Sequence, residues 1–132
     1  MSFFPRLVLA CLAIAFLPVG FLGWFAPDIL FAPIGVQISD AAGYAEIRAA
    51  YGGHFTGAGL FFALGTAKEH YRDTALTLGA VILGGFVFGR LLSMVIEGVP
   101  SAVALFTLTI ETVGLTASLS ALGIRRGQPS EA

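Results

Sequence analysis

Charge is scarce in this chain: only 11% of its 132 residues are Asp, Glu, Lys or Arg, against about 25% in soluble domains. With 57% hydrophobic residues and a mean hydropathy of +0.89, the composition points to a membrane protein. A basic excess is also lacking. The net charge is -1, so no electrostatic footprint for nucleic acid exists and no nucleic-acid partner is expected. The single cysteine, Cys11, excludes an intrachain disulfide and has no ligating neighbours for a metal. It reads as a small apolar filler within a helix. The sequence also lacks a nucleophile–base motif, metal-ligand spacing, a phosphate loop and a cofactor fingerprint. Neither a cofactor nor a metal is expected, and an enzyme is the weakest functional reading. What is left for catalysis is acid–base chemistry on a lipid by His54, Tyr51 and Glu111.

What is present is apolar sequence in runs of membrane length. Leu7 to Phe25 is apolar throughout and close to the roughly 20 residues that span a bilayer. No Ala-x-Ala-like cleavage site follows it, and too few apolar residues precede Cys11 for a lipoprotein signal, so it reads as a retained helix. Pro18 is placed to kink it, and Trp24 to anchor its exit at the interface. Ala26 to Asp40 is broken by Pro27, Pro33 and Gly35, which predicts an outer loop with short interfacial structure. Asp28 can start one helical turn, and Ser39-Asp40 can cap the next helix. That helix is expected over 41–67, a third over 74–96 and a fourth over 101–123. The short links between them force antiparallel hairpins. Residues 127–132 read as a disordered polar tail.

The expected fold is therefore an all-α integral membrane four-helix bundle in a single domain. Arg6, Lys68, Arg72, Arg125 and Arg126 fall on one side of it. Asp28, Asp40, Glu46 and Glu97 fall on the other, with Arg48 the lone basic residue there. The positive-inside rule then puts both termini in the cytoplasm.

The remaining charges lie within the apolar runs, where an ionisable group is expensive and calls for a partner. At a 1.5 Å rise per residue, Arg90 and His54 each lie about 10 Å from the outer ends of their helices, and Glu111 about 15 Å. An arginine side chain can bridge the difference. Facing agrees with depth. Gly79, Leu83, Phe86, Arg90, Ser93 and Glu97 share one stripe of the third helix. Ala104, Thr107, Glu111, Gly114, Ser118 and Ala121 share a small, polar stripe of the fourth. Glu46, Arg48, Tyr51, His54, Arg90, Ser93, Glu97 and Glu111 thus form an expected outer polar cluster, the candidate ligand or ion pocket. The competing reading makes Arg90 with Glu111 a structural ion pair that sets helix register. Gly53-x-x-x-Gly57, Gly59-x-x-x-Ala63-x-x-x-Ala67 and Gly85-x-x-x-Gly89 are small-residue ladders for close helix approach.

The elements Glu46-x-Arg48-x-x-Tyr51-Gly52-Gly53, Gly89-Arg90-x-x-Ser93 and Glu97-Gly98-x-Pro100-Ser101, with Glu111 in the last helix, carry a resemblance. The chain resembles, from about Leu7 to Gly123, a family of small four-helix bacterial membrane proteins described as domain of unknown function 4345. The resemblance implies the four-helix topology and a bacterial inner-membrane location, and it supplies no catalytic role. Two functional readings lead. One is a bundle that binds or helps translocate a small amphipathic ligand or a proton. The other is an accessory subunit of a larger membrane complex, joined to a partner or to further copies of itself through the glycine-rich faces. The bilayer is the expected surrounding in both.

Overall fold

The computed structural model describes residues 3–127. The expected tail residues from 128 onward lie outside the described residues. Among the described residues all regular structure is helical. Helix α1 (Phe3–Phe25) leads into a short helix α2 (Pro27–Phe31), which starts on Pro27 and passes into a single 3-10 turn, Ala32–Ile34. Gly35 ends that turn at φ 76°, a left-handed conformation that suits glycine. Asp40 then caps helix α3 (Ala41–Ile47), its Oδ1 accepting from the Gly43 N–H at 2.8 Å. α3 continues without a break through a π-helical segment, Arg48–Gly53, into α4 (His54–Ala67). A 3-10 turn, Glu69–Tyr71, leads to α5 (Arg72–Glu97). After a brief link, Ser101 caps α6 (Ala102–Arg126).

Three helical stretches, Phe3–Phe25, Glu69–Glu97 and Ala102–Arg126, are long and apolar enough to cross a membrane. They mark the chain as a membrane protein. α4 by itself is shorter, with 14 residues. It belongs to the longer helical run 41–67, which the π segment divides.

The helices form a bundle in which α1 lies along α4 and α5 lies along α6. Its core is concentrated at one end. Leu9, Leu12 and Phe16 of α1, Phe62 of α4, Leu76 and Leu83 of α5, and Leu122 of α6 are all buried there. Glycines allow the close approach. A methyl group on Gly79 would lie 2.9 Å from Leu12 Cδ1, and one on Gly114 2.9 Å from Leu83 Cδ1. Both are tighter than carbon–carbon packing at about 3.5–4.0 Å allows. At the other end, Leu91, Leu92, Val95, Ile96 and Phe106 on the α5–α6 hairpin are exposed. A surface of that kind is ordinary against lipid and unfavourable against water.

Candidate functional site

Where α5 emerges from the core, its inward stripe reaches Arg90. Glu111 occupies the facing position on α6, within a stripe that runs on through buried Ser118 and Ala121. Arg90 Nε donates to Glu111 Oε2 at 2.6 Å, and Nη2 donates to Oε1 at 2.9 Å. This is a two-point fork, the strongest arrangement of these two groups. The Glu111 side chain is 10% exposed and that of Arg90 35%. The carboxylate is thus the buried partner, and the guanidinium lies at the edge of the bundle.

Beside the pair is a cleft of about 260 Å³, lined by Tyr51 and Phe55 from the opposite helix and by Gly85, Phe86, Gly89, Arg90 and Glu111. One wall is a ladder of rings. Tyr51 stacks on Phe55 with centroids 5.6 Å apart, and Phe55 on Phe86 at 5.7 Å. Such offset stacks each add roughly 0.5–1.5 kcal/mol beyond simple burial. Phe31, 5% exposed, meets the far side of Tyr51 edge-on at 4.7 Å and closes the ladder from the α2 side. The opposite side is open: a methyl group built on Gly85 or Gly89 meets nothing within 4 Å.

The π segment holds Tyr51 in place through α1. Gly52 lies against the Trp24 ring so closely that any side chain on it would overlap the indole. A side chain on Gly23 would likewise run into the Gly52 backbone, its Cβ 2.7 Å from the Gly52 nitrogen. Arg48 Nε donates to the Trp24 carbonyl at 3.1 Å, meeting one of the free carbonyls at the negative end of α1. Its guanidinium also sits 5.4 Å from the centre of the Tyr44 ring. The Tyr44 hydroxyl in turn donates to Asp28 at 2.9 Å. That bond, and after it burial, raises the Tyr44 pKa above its usual value. Arg48, Tyr51 and Gly52 therefore form one elbow that joins α1, α2 and the π segment.

The structure brings together three of the eight expected cluster residues: Tyr51, Arg90 and Glu111. Arg48 turns to α1, and Glu46 is exposed. Ser93 donates to Glu97 at 2.7 Å on the exposed last turn of α5, while Arg90 pairs with Glu111. His54, expected at the depth of Arg90, faces outward, its ring 6.0 Å from that of Phe55. Nothing in the sequence marks Phe55 and Phe86 as cleft walls, because aromatic residues suit lipid as well as a pocket.

A second polar cluster gathers around Arg72, at the turn between α4 and α5. Arg72 is 2% exposed. Its Nε donates to the Gly65 carbonyl at 3.2 Å, and Nη1 lies 3.5 Å from Glu69. Glu69 also meets Arg125 at 3.3 Å, and Arg125 pairs with Asp73. Arg72 thereby covers the free carbonyls at the end of α4, and Arg125 ties the end of α6 to the start of α5. This cluster closes the core end of the bundle.

The model of the family described as Domain of unknown function (DUF4345) matches residues 4–122, and the chain belongs to that family. No curated protein matches the chain. No solved structure matches it.

Proposed function

We propose that this family member is a four-span protein of the bacterial inner membrane, with both termini in the cytoplasm. The run 41–67 supplies the fourth span, entering the membrane near Ile47. The basic residues at Arg6, Lys68, Arg72 and Arg125–Arg126 support the orientation. In this reading, the cleft beside Arg90 and Glu111 binds a small amphipathic ligand in the outer half of the membrane. The observation that carries it is the fork itself: a buried carboxylate and a half-buried guanidinium, deep in a helix pair, bordering open space. A purely structural pair would be better enclosed. Proton transfer is the less supported variant, since Glu111 already spends both oxygens on Arg90.

Two experiments test this. For topology, Val99→Cys and Lys68→Cys are made singly in a Cys11→Ala background and labelled with an impermeant maleimide on intact spheroplasts. Val99→Cys should label, and Lys68→Cys only after permeabilisation; the reverse pattern overturns the orientation. For binding, native mass spectrometry of gently extracted protein should show a small-molecule adduct that Phe86→Trp loses. A bare chain throughout overturns the ligand reading. A stoichiometric protein partner would favour an accessory subunit, which the exposed apolar outer half of α5 and α6 also fits.

A further inference from the structure

The cleft has a direction. Its open side lies over Gly85 and Gly89, both exposed on the outer surface of α5. Its closed sides are the ring ladder and the ion pair. If α5 spans the membrane, as proposed above, that opening faces lipid, so a ligand enters sideways from the bilayer. About 260 Å³ falls just below the range of about 300–1,000 Å³ for sites that enclose a whole drug-sized molecule. A headgroup fits, and a tail must stay outside in the lipid.

The chemistry narrows the headgroup. Phe55 and Phe86 lie nearly parallel, 14° apart, beside two glycines that add no side chain, a lining that suits a planar ring. The fork uses one N–H on Nε and one on Nη2, so both N–H groups of Nη1 and one of Nη2 have no partner among the described residues. The Tyr51 hydroxyl also has no hydrogen-bond partner among them, and it lines the same cleft. The site therefore offers donors in search of an acceptor. Glu111 decides its charge. The carboxylate already neutralises Arg90, so an anionic headgroup would be set against it, whereas a neutral carbonyl would not.

Resting on the proposed binding cleft, we infer that its ligand is a lipid-soluble quinone: a flat, uncharged ring whose carbonyl oxygen accepts from Arg90 and whose tail leaves over Gly85 and Gly89. Binding is the whole of the proposal; no electron transfer is part of it.

The test titrates decylubiquinone, oleate and dioleoylphosphatidylglycerol into the full chain in detergent and follows thermal unfolding. The variants are Gly89→Leu, which fills the opening from a Cβ that meets no atom within 4 Å, and Arg90→Lys, which keeps the charge and loses the fork. Decylubiquinone should raise Tm saturably in the wild type. Its apparent affinity should fall at least about tenfold in Gly89→Leu, with the ligand-free Tm maintained. A decylubiquinone shift that Gly89→Leu retains overturns the inference. Oleate or phosphatidylglycerol shifting Tm in place of decylubiquinone, with the shift lost in Gly89→Leu, overturns the quinone class and leaves the cleft standing. No shift with any probe overturns both.

Discussion

Replacing Arg90 and Glu111 by leucine, singly and together, exposes the energetics of the fork. Arg90→Leu leaves Glu111 with a 10% exposed side chain and no counter-charge. Removing one partner of a buried pair costs about 3–5 kcal/mol, and we expect the lower figure here because the cleft admits some solvent. Glu111→Leu leaves Arg90, which is 35% exposed and can extend toward the edge of the bundle. That change should cost about 1–2 kcal/mol. The double leucine variant replaces the pair by apolar packing and should return to within about 1 kcal/mol of wild type. The coupling energy is then at least about 3 kcal/mol, far above the additivity error of about 0.5 kcal/mol for independent sites. Reversible unfolding in mixed micelles of mild detergent and dodecyl sulfate measures it, read by circular dichroism and Trp24 fluorescence. Additive single effects would refute the pairing. Glu111→Leu proving the more damaging change would refute the burial order.

Four more perturbations have defined outcomes. Gly52→Ala should lower stability by about 1–3 kcal/mol through overlap with Trp24, while Gly57→Ala, which meets nothing within 4 Å, should not; equal effects would contradict the elbow. Thr56 is buried and its Oγ1 has no hydrogen-bond partner among the described residues, so Thr56→Val should be neutral or stabilise by about 1 kcal/mol; a clear loss would reveal a partner. Arg72→Met should cost about 2 kcal/mol by uncovering the end of α4, whereas Arg125→Met, whose partners are exposed, should cost under about 1 kcal/mol. The Tyr44 phenol should titrate above 10.0 because its bond to Asp28 favours the protonated form. What that bond contributes is complete below pH 10 and is lost as pH rises through the raised value. Asp28→Asn should move the titration back down, as read by tyrosinate absorbance against Tyr44→Phe; an unchanged titration would sink the assignment.

The Arg90–Glu111 fork was legible in the sequence because two constraints met at those positions. Both residues sit within apolar runs, which requires a partner, and both lie on stripes of small or polar residues. Depth alone misled for His54. Depth grows linearly with residue number, but facing depends on helical phase, and the π segment just before His54 alters that phase. Arg72 was missed for a different reason. Six charged or polar residues in a row read as a solvated turn, and nothing in the order Lys68 to Asp73 says that one arginine folds back under the end of α4. Trp24 suggested an interfacial anchor. Its close fit on Gly52 depends on where α1 crosses the π segment, which only the assembled bundle defines.

The π segment Arg48–Gly53 has a consequence for how this helix evolves and can be engineered. A π turn accommodates a residue beyond the regular α-helical count, and each α-helical residue turns the chain by about 100°. The stretch before it, holding Tyr44 against Asp28, and the stretch after it, laying Thr56 and Phe62 against α1, therefore keep independent rotational settings. Deleting one residue, such as Ala49, would let the run become uniformly α-helical. The two halves would then keep close to their present settings, whereas forcing all the present residues into α-helical geometry would swing them out of step by about 100°, so that only one set of contacts could survive. The segment works as a clutch plate between the loop-facing and core-facing halves of one continuous rod.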